Sequence, residues 1–249
     1  SLYWNNGSGR IKNMFQTELI KAMNAMERPL TEKQVQQFCL FQDMLLETNK
    51  VMNLTAITEP ADVAVKHMAD SLSCYDEAYF ASHARVLDLG TGAGFPGLPL
   101  LIYRPDLQMT FFDSLQKRLR FIQEVLQQTG LQAKCLHGRA EEMAHQAAYR
   151  EQFDIVTSRA VARLQILAEW ALPYVQQGGF FISLKGAQYE DEIKESKQAL
   201  QILGGIIEEV RPIVLPGLTD KRAVIYIRKI KASPKKYPRK PKMAAKNPL

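Results

Sequence analysis

The residues best placed to do chemistry are those of Asp88-Leu-Gly-Thr-Gly-Ala-Gly-Phe-Pro-Gly97, which begin inside a short apolar run at 85–89. Gly90, Gly92 and Gly94 permit a tight turn and let the backbone approach a ligand with no Cβ in the way. A helix starting after the turn would aim its free N–H groups at that ligand. Two ligands are open. Gly92-Ala-Gly94-Phe-Pro-Gly97 fits the dinucleotide pattern GxGxxG, and Asp113, just past the next apolar run, stands where a ribose-binding acid belongs. The turn starts earlier, however, at Gly90, and an acid, Asp88, precedes it. A carboxylate there repels a pyrophosphate and suits an ammonium group. S-adenosylmethionine has an amino-acid end, a ribose and no phosphate, and so fits both acids. An NAD(P)-dependent oxidoreductase is the alternative, and an RNA-binding protein that keeps the sheet without the activity is a third reading.

Other polar residues carry weaker signals. Arg139, Arg159, Arg163 and Lys185 follow apolar runs that read as strands, and Arg222 opens the last such run. The carboxyl ends of parallel strands are where open α/β sheets bind ligands. For Arg159 and Lys185 the motifs around them favour function, and Arg163 is read as a solvated surface charge. His67 and Asp70, three residues apart on one helical face, read as a surface pair packing on the sheet domain. Ser158-Arg-Ala-Val-Ala162 is neither the Asn/Asp-Pro-Pro-aromatic stretch of exocyclic amine methylation nor a site with the Cys nucleophile of cytosine C5 methylation. No His, Cys or acid spacing suggests a metal.

These residues need elements to hold them. Val35, Phe38, Phe41 and Leu45 mark one face of a helix over 31–49, with Thr31 able to cap it, and Thr58 and Pro60 start another. From Arg85 on, apolar runs at 85–89, 107–112, 133–136, 153–157 and 179–184 alternate with helical stripes, the pattern of βαβ units on a parallel sheet. Beyond Gly204-Gly205, the extended stretches 206–215 and 222–230 are too close for a crossover and should pair antiparallel. The domains expected are a leader or added segment over 1–13 with Met14 as native start, a helical segment over 14–80, a Rossmann-like α/β domain over 81–230 and a flexible basic tail over 231–249.

The chain has 249 residues, 46% of them hydrophobic, enough to bury a core without disulfides or metal. Three cysteines, none in a CxxC pair, exclude a disulfide scaffold and suit a reducing cytosol, and no apolar run approaches a membrane span. The net charge of +6 is local: residues 228–249 hold nine Lys or Arg and no acid, leaving 23 basic against 26 acidic groups before them. Four prolines in the tail forbid a helix, so its charges should stay solvated and meet a polyanion. Lying more than a hundred residues from the glycine loop, the tail should leave cofactor affinity untouched.

Taken in order, seven stretches resemble the RsmG (GidB) family: Asn53-Leu-Thr-Ala-Ile-Thr58, Lys66-His-Met-Ala-Asp-Ser-Leu72, DLGTGAGFPGLP at 88–99, Asp113-Ser-Leu-Gln-Lys-Arg118, Arg139-Ala-Glu-Glu142, Thr157-Ser-Arg-Ala-Val-Ala162 and Leu184-Lys-Gly186. The resemblance implies a class I S-adenosylmethionine-dependent methyltransferase with a mostly parallel seven-stranded sheet, acting on N7 of a guanine in 16S rRNA. It implies that Asp88, Gly90, Gly92, Gly94 and Phe95 line the methionine and ribose side, that Asp113 holds the ribose hydroxyls, and that Ala140 and Glu141 flank the adenine. Arg159 would lie beside both cofactor and target base, with Lys185 as its catalytic companion. Arg139, Arg222, Lys235, Lys236 and Arg239 would contact RNA. The expected partner is 16S rRNA or the 30S subunit, met in the cytoplasm by a monomer that needs no metal and no membrane.

Overall fold

The computed structural model describes residues 8–159 and 161–249. Helix α1 (Ser8–Ala25) is anchored by Phe15, Leu19 and Met23, all fully buried. The helix begins at Ser8, inside the segment over 1–13 expected to lack structure, while 1–7 lie outside the described residues. Helix α2 (Glu32–Asn49) starts at the predicted cap. The Thr31 hydroxyl accepts from the Gln34 N–H at 3.2 Å, and the Gln34 side chain accepts from the Thr31 N–H at 2.9 Å. Such a reciprocal box satisfies two N–H groups that a helix start leaves open. Its stripe of Phe38, Phe41 and Leu45 is fully buried.

Helix α3 (Pro60–Asp62), a π-helical stretch (Val63–Ala69) and α4 (Asp70–Leu72) run on without a break. A π-turn takes one extra residue and rotates the side chains that follow it, a device common at functional sites. Val63, Ala64, Met68, Ala69 and Leu72 are all buried, so this rod is apolar around much of its circumference and packs inside the molecule.

Seven strands follow: β1 (Arg85–Leu89), β2 (Gln108–Asp113), β3 (Lys134–His137), β4 (Phe153–Arg159), β5 (Val175–Lys185), β6 (Gly205–Ile213) and β7 (Arg222–Lys229). They form one sheet in the order β3-β2-β1-β4-β5-β7-β6. The first five are parallel, β7 is antiparallel to β5 and β6, and Lys185 pairs with Ala223. Helices α5 (Gly97–Tyr103), α6 (Gln116–Thr129), α7 (Ala140–Met143), α8 (Leu164–Ala171) and α9 (Tyr189–Leu203) make the connections. Alternate strand residues serve two apolar layers: Val86, Ile155, Ile182 and Val224 pack with the α1, α2, α5 and α6 side, and Leu87, Val156, Phe181 and Ile225 with the α8 and α9 side. Burial on both faces accounts for the near-continuous apolar runs of the strands.

The tail expected to be flexible is packed. Tyr237 is 6% exposed within the second apolar layer, and a last short helix, α10 (Met243–Lys246), lies against α8. Prolines limit the backbone bonds the segment can make within itself, and it takes further partners from the domain: Arg150 donates to the carbonyls of Ser233, Pro234 and Tyr237.

Candidate functional site

The strand order reverses between β1 and β4, and at their carboxyl ends lie two cavities. The larger, of about 660 Å³, is walled by Gly90, Asp113, Arg139, Ala140, Glu141 and Arg159 among others. The smaller, of about 290 Å³, is walled by His67, Asp70, Arg159, Lys185, Gly186 and Arg222. Arg159 belongs to both. Open α/β sheets bind ligands at this switch point.

The loop after β1 is organised from beneath. Asp88 is fully buried, its carboxylate accepting from the Thr91 hydroxyl at 2.6 Å, the Thr157 hydroxyl at 2.9 Å and the Gly97 N–H at 2.9 Å. Burial pushes its carboxyl up to about 6, against those three bonds. It is absent from the larger cavity's wall, so its position departs from the expected ligand-facing one: Asp88 ties strand, loop and helix together. Gly90, Gly92 and Gly94 take φ of 66°, 58° and 103°, which other residues adopt at a cost. A Cβ on Gly90 would sit 3.0 Å from Val161, so that wall is shaped by a hydrogen atom.

Asp113 is 3% exposed at the end of β2. Its carboxylate accepts from the Gly92 N–H and the Leu115 N–H, both at 2.9 Å, and Arg118 stands 3.6 Å away. Two accepted bonds leave a carboxylate lone pairs for two more donors, and its place on the larger cavity's wall allows a vicinal diol to supply them. Ala140 and Glu141 open α7 on the same wall, with exposed Arg139 before them.

Arg159 is held on four sides. It donates to Asp70 at 3.1 Å and to the Lys66 carbonyl at 3.3 Å, meets His67 Nδ1 at 3.0 Å, and lies 4.9 Å from the centre of the Phe95 ring. The His67 ring stacks on Phe95 at 4.4 Å. Because guanidinium only donates, Nδ1 accepts, and Nε2 carries the proton toward Thr55 Oγ1 at 2.7 Å. Burial, then the Arg159 charge, hold His67 down at about 3, so it is neutral. Asp70 takes Arg222 on its other oxygen at 2.6 Å, so one carboxylate joins two guanidiniums. His67 and Asp70 are therefore buried parts of the site and no surface pair. Their signal was the apolar residues on every side of them at 63–72.

Three expected roles change. Lys185 is 6% exposed, but its ammonium pairs with Glu192 at 3.0 Å and donates to the Ala162 carbonyl. Burial lowers its proton affinity, and Glu192 also accepts from the Leu164 N–H at 2.8 Å. Lys185 thus positions the loop after β4, with two of its donors taken by protein groups. Arg239 is clamped on Glu169, itself 1% exposed, and so is structural. Arg222 lies in the smaller cavity, paired with Asp70 and Asp220, and presents no free surface charge. Lys235 and Lys236 are exposed, and Arg163, paired with Glu195, is the expected surface charge.

A model of the family described as rRNA small subunit methyltransferase G (GidB) matches residues 34–217. The ribosomal RNA small subunit methyltransferase G of Alkaliphilus metalliredigens is 47% identical over 221 residues, covering 88% of this chain and 92% of that one. Its namesake from Desulforamulus reducens is 44% identical over 232 residues, covering 93% and 97%. Among solved structures, the branched-chain polyamine synthase of Thermus thermophilus superposes with a TM-score of 0.55 at 13% identity, covering 78% of this chain and 64% of that one. A likeness at that identity speaks to the fold alone.

Proposed function

The chain belongs to the GidB family of small-subunit rRNA methyltransferases, and from that premise we infer that it transfers a methyl group from S-adenosylmethionine to N7 of a guanine in 16S rRNA. The larger cavity suits that cofactor: its size is within the range of small-molecule sites, its wall has no Cβ at Gly90 and Gly138, and Asp113 has acceptor capacity left. The indole N–H of Trp170, on the same wall, is buried without a partner among the described residues. Asp113 would take the ribose, Gly90 and its neighbours the methionine side, and Ala140 and Glu141 the adenine. The dinucleotide reading gives way to the family.

When bound, S-adenosylmethionine supplies an electrophilic sulfonium methyl group. Guanine N7 presents an unprotonated lone pair, so the chain need remove no proton and form no covalent bond. Its residues have to bind, align and exclude water. The observation that carries this reading is that Arg159 lies on both cavity walls, fixed by Asp70, His67 and Phe95 before any substrate arrives. A preorganised cation there would orient a base against the cofactor with no rearrangement.

Exposed Arg139, Lys235 and Lys236 are the groups for RNA phosphates. The substrate is 16S rRNA, free or in the 30S subunit, met in the cytoplasm by a monomer whose chemistry needs no metal. No helix among the described residues is long and apolar enough to cross a membrane. Titration calorimetry with S-adenosylmethionine and with NADH tests the cofactor half. Binding of the first alone is expected, and binding of NADH alone would remove the reading.

A further inference from the structure

Pro234, Pro238 and Pro241 lack a backbone N–H and leave the C-terminal segment few hydrogen bonds of its own before its last short helix. Such a segment is ordered only where the domain supplies partners, and here it does so at consecutive points. The Ser233 hydroxyl donates to the Leu203 carbonyl at 2.6 Å, and Arg150 holds three of the segment's carbonyls. His145 Nε2 lies 2.7 Å from the Pro238 carbonyl. Glu169 accepts from both the backbone and the guanidinium of Arg239 at 2.7 Å. Beyond Pro241 the chain turns at Lys242, with φ of 74°, into α10, whose Ala244 is 3% exposed. That turn brings Lys242 and Ala245 onto the wall of the larger cavity, beside Trp170.

Three of the anchors come from elements that also carry this cavity's wall: His145 and Arg150 follow α7, which opens with Ala140 and Glu141, and Glu169 precedes Trp170 on α8. A bystander tail would have exposed side chains and no buried countercharge. This one has Glu169, almost fully removed from water, dedicated to Arg239.

We propose that residues 239–249 are a built part of the cofactor site, with Lys242 and Ala245 closing the adenine side of the pocket and contacting S-adenosylmethionine. This rests on the reading of that cavity as the cofactor's. It overturns the expectation that the segment leaves cofactor affinity untouched, which took distance along the chain for distance in space.

The test is calorimetric titration of S-adenosylmethionine into the full chain, into a chain ending at Pro238, and into the full chain carrying Arg239→Ala, with circular dichroism to establish folding. The dissociation constant should rise roughly tenfold or more on truncation and several-fold for Arg239→Ala. A folded truncated chain that binds within about twofold of the full one would overturn the proposal. Should neither variant fold, the unaltered protein decides. Trypsin cleavage after Lys242 and Lys246 should slow when S-adenosylmethionine is added, and an unchanged rate at saturation overturns the proposal. Failure of the unaltered chain to bind S-adenosylmethionine would instead remove the underlying reading of the cavity.

Discussion

Gly97→Ala should damage this protein more than Gly92→Ala, although Gly92 has the backbone angle that only glycine adopts freely. A Cβ on Gly97 would lie 2.5 Å from Asp88 Oδ2 and 2.6 Å from Phe111 Cε1, while one on Gly92 meets nothing within 4 Å. At Gly92 the cost is conformational alone, about 1–2 kcal/mol for an alanine in the left-handed region. At Gly97 the backbone is ordinary but the space is taken. Overpacking costs about 1–3 kcal/mol. Displacing Asp88 also weakens its bond from the Gly97 N–H, and a hydrogen bond to a charged group is worth about 1.5–3 kcal/mol. Partial relaxation brings the total to roughly 3–5 kcal/mol, a large part of the ~5–15 kcal/mol that holds a domain together. With a urea slope of ~2–3 kcal/mol per molar, the midpoint should fall by ~1–2 M for Gly97→Ala and by less than ~1 M for Gly92→Ala. Urea unfolding followed by circular dichroism reads both. Equal midpoints for Gly97→Ala and the unaltered protein, or a larger loss for Gly92→Ala, would refute the assignment of Asp88 as the loop's internal anchor.

Asp113→Ala should weaken S-adenosylmethionine binding by about 1–3 kcal/mol, read by calorimetry, because charge-assisted bonds to the ribose are lost; an unchanged constant would mean that the acid serves only the loop. Arg159→Lys should lower methyl transfer to rRNA nearly as much as Arg159→Ala, since an ammonium cannot span Asp70, the Lys66 carbonyl and His67 at once; turnover close to the unaltered protein's would sink the role. His67 is lowered to about 3 in the fold from about 6.5 in the unfolded chain, so the native state binds fewer protons. Stability from this group is present above pH ~6.5 and is lost as pH falls toward ~3, at up to ~1.4 kcal/mol per pH unit. Relative to His67→Gln, the unaltered protein should lose urea resistance over that window, and parallel curves for the two would contradict a neutral His67.

Much of this fold is written locally. The Thr31 cap, the strand alternation and the hairpin after Gly204-Gly205 depend on near neighbours in the chain, and each element lies within a few residues of its expected place. Strand β5 starts earlier than its apolar run, at Val175, because its pairing with β4 shifts register between Phe153 and Ile155. What the sequence does not display is which charges meet. Lys185 and Arg239 read as RNA or catalytic groups because their partners, Glu192 and Glu169, sit on different elements. Asp88 reads as a ligand-facing acid because spacing says where a carboxylate is and not what it already holds. The tail misleads for the same reason: its composition is that of a solvated segment, and its order comes from Arg150, His145 and Glu169, all far from it in sequence.

The most direct test of the central claim is to map 7-methylguanine in 16S rRNA from cells with and without the gene for this chain, by nuclease digestion and mass spectrometry. One guanine should carry the N7 methyl group only when the gene is present, and purified protein with S-adenosylmethionine should restore it to RNA from cells lacking the gene. An identical set of 7-methylguanines in both RNAs, or a methyl group restored to some atom other than N7, would contradict the account.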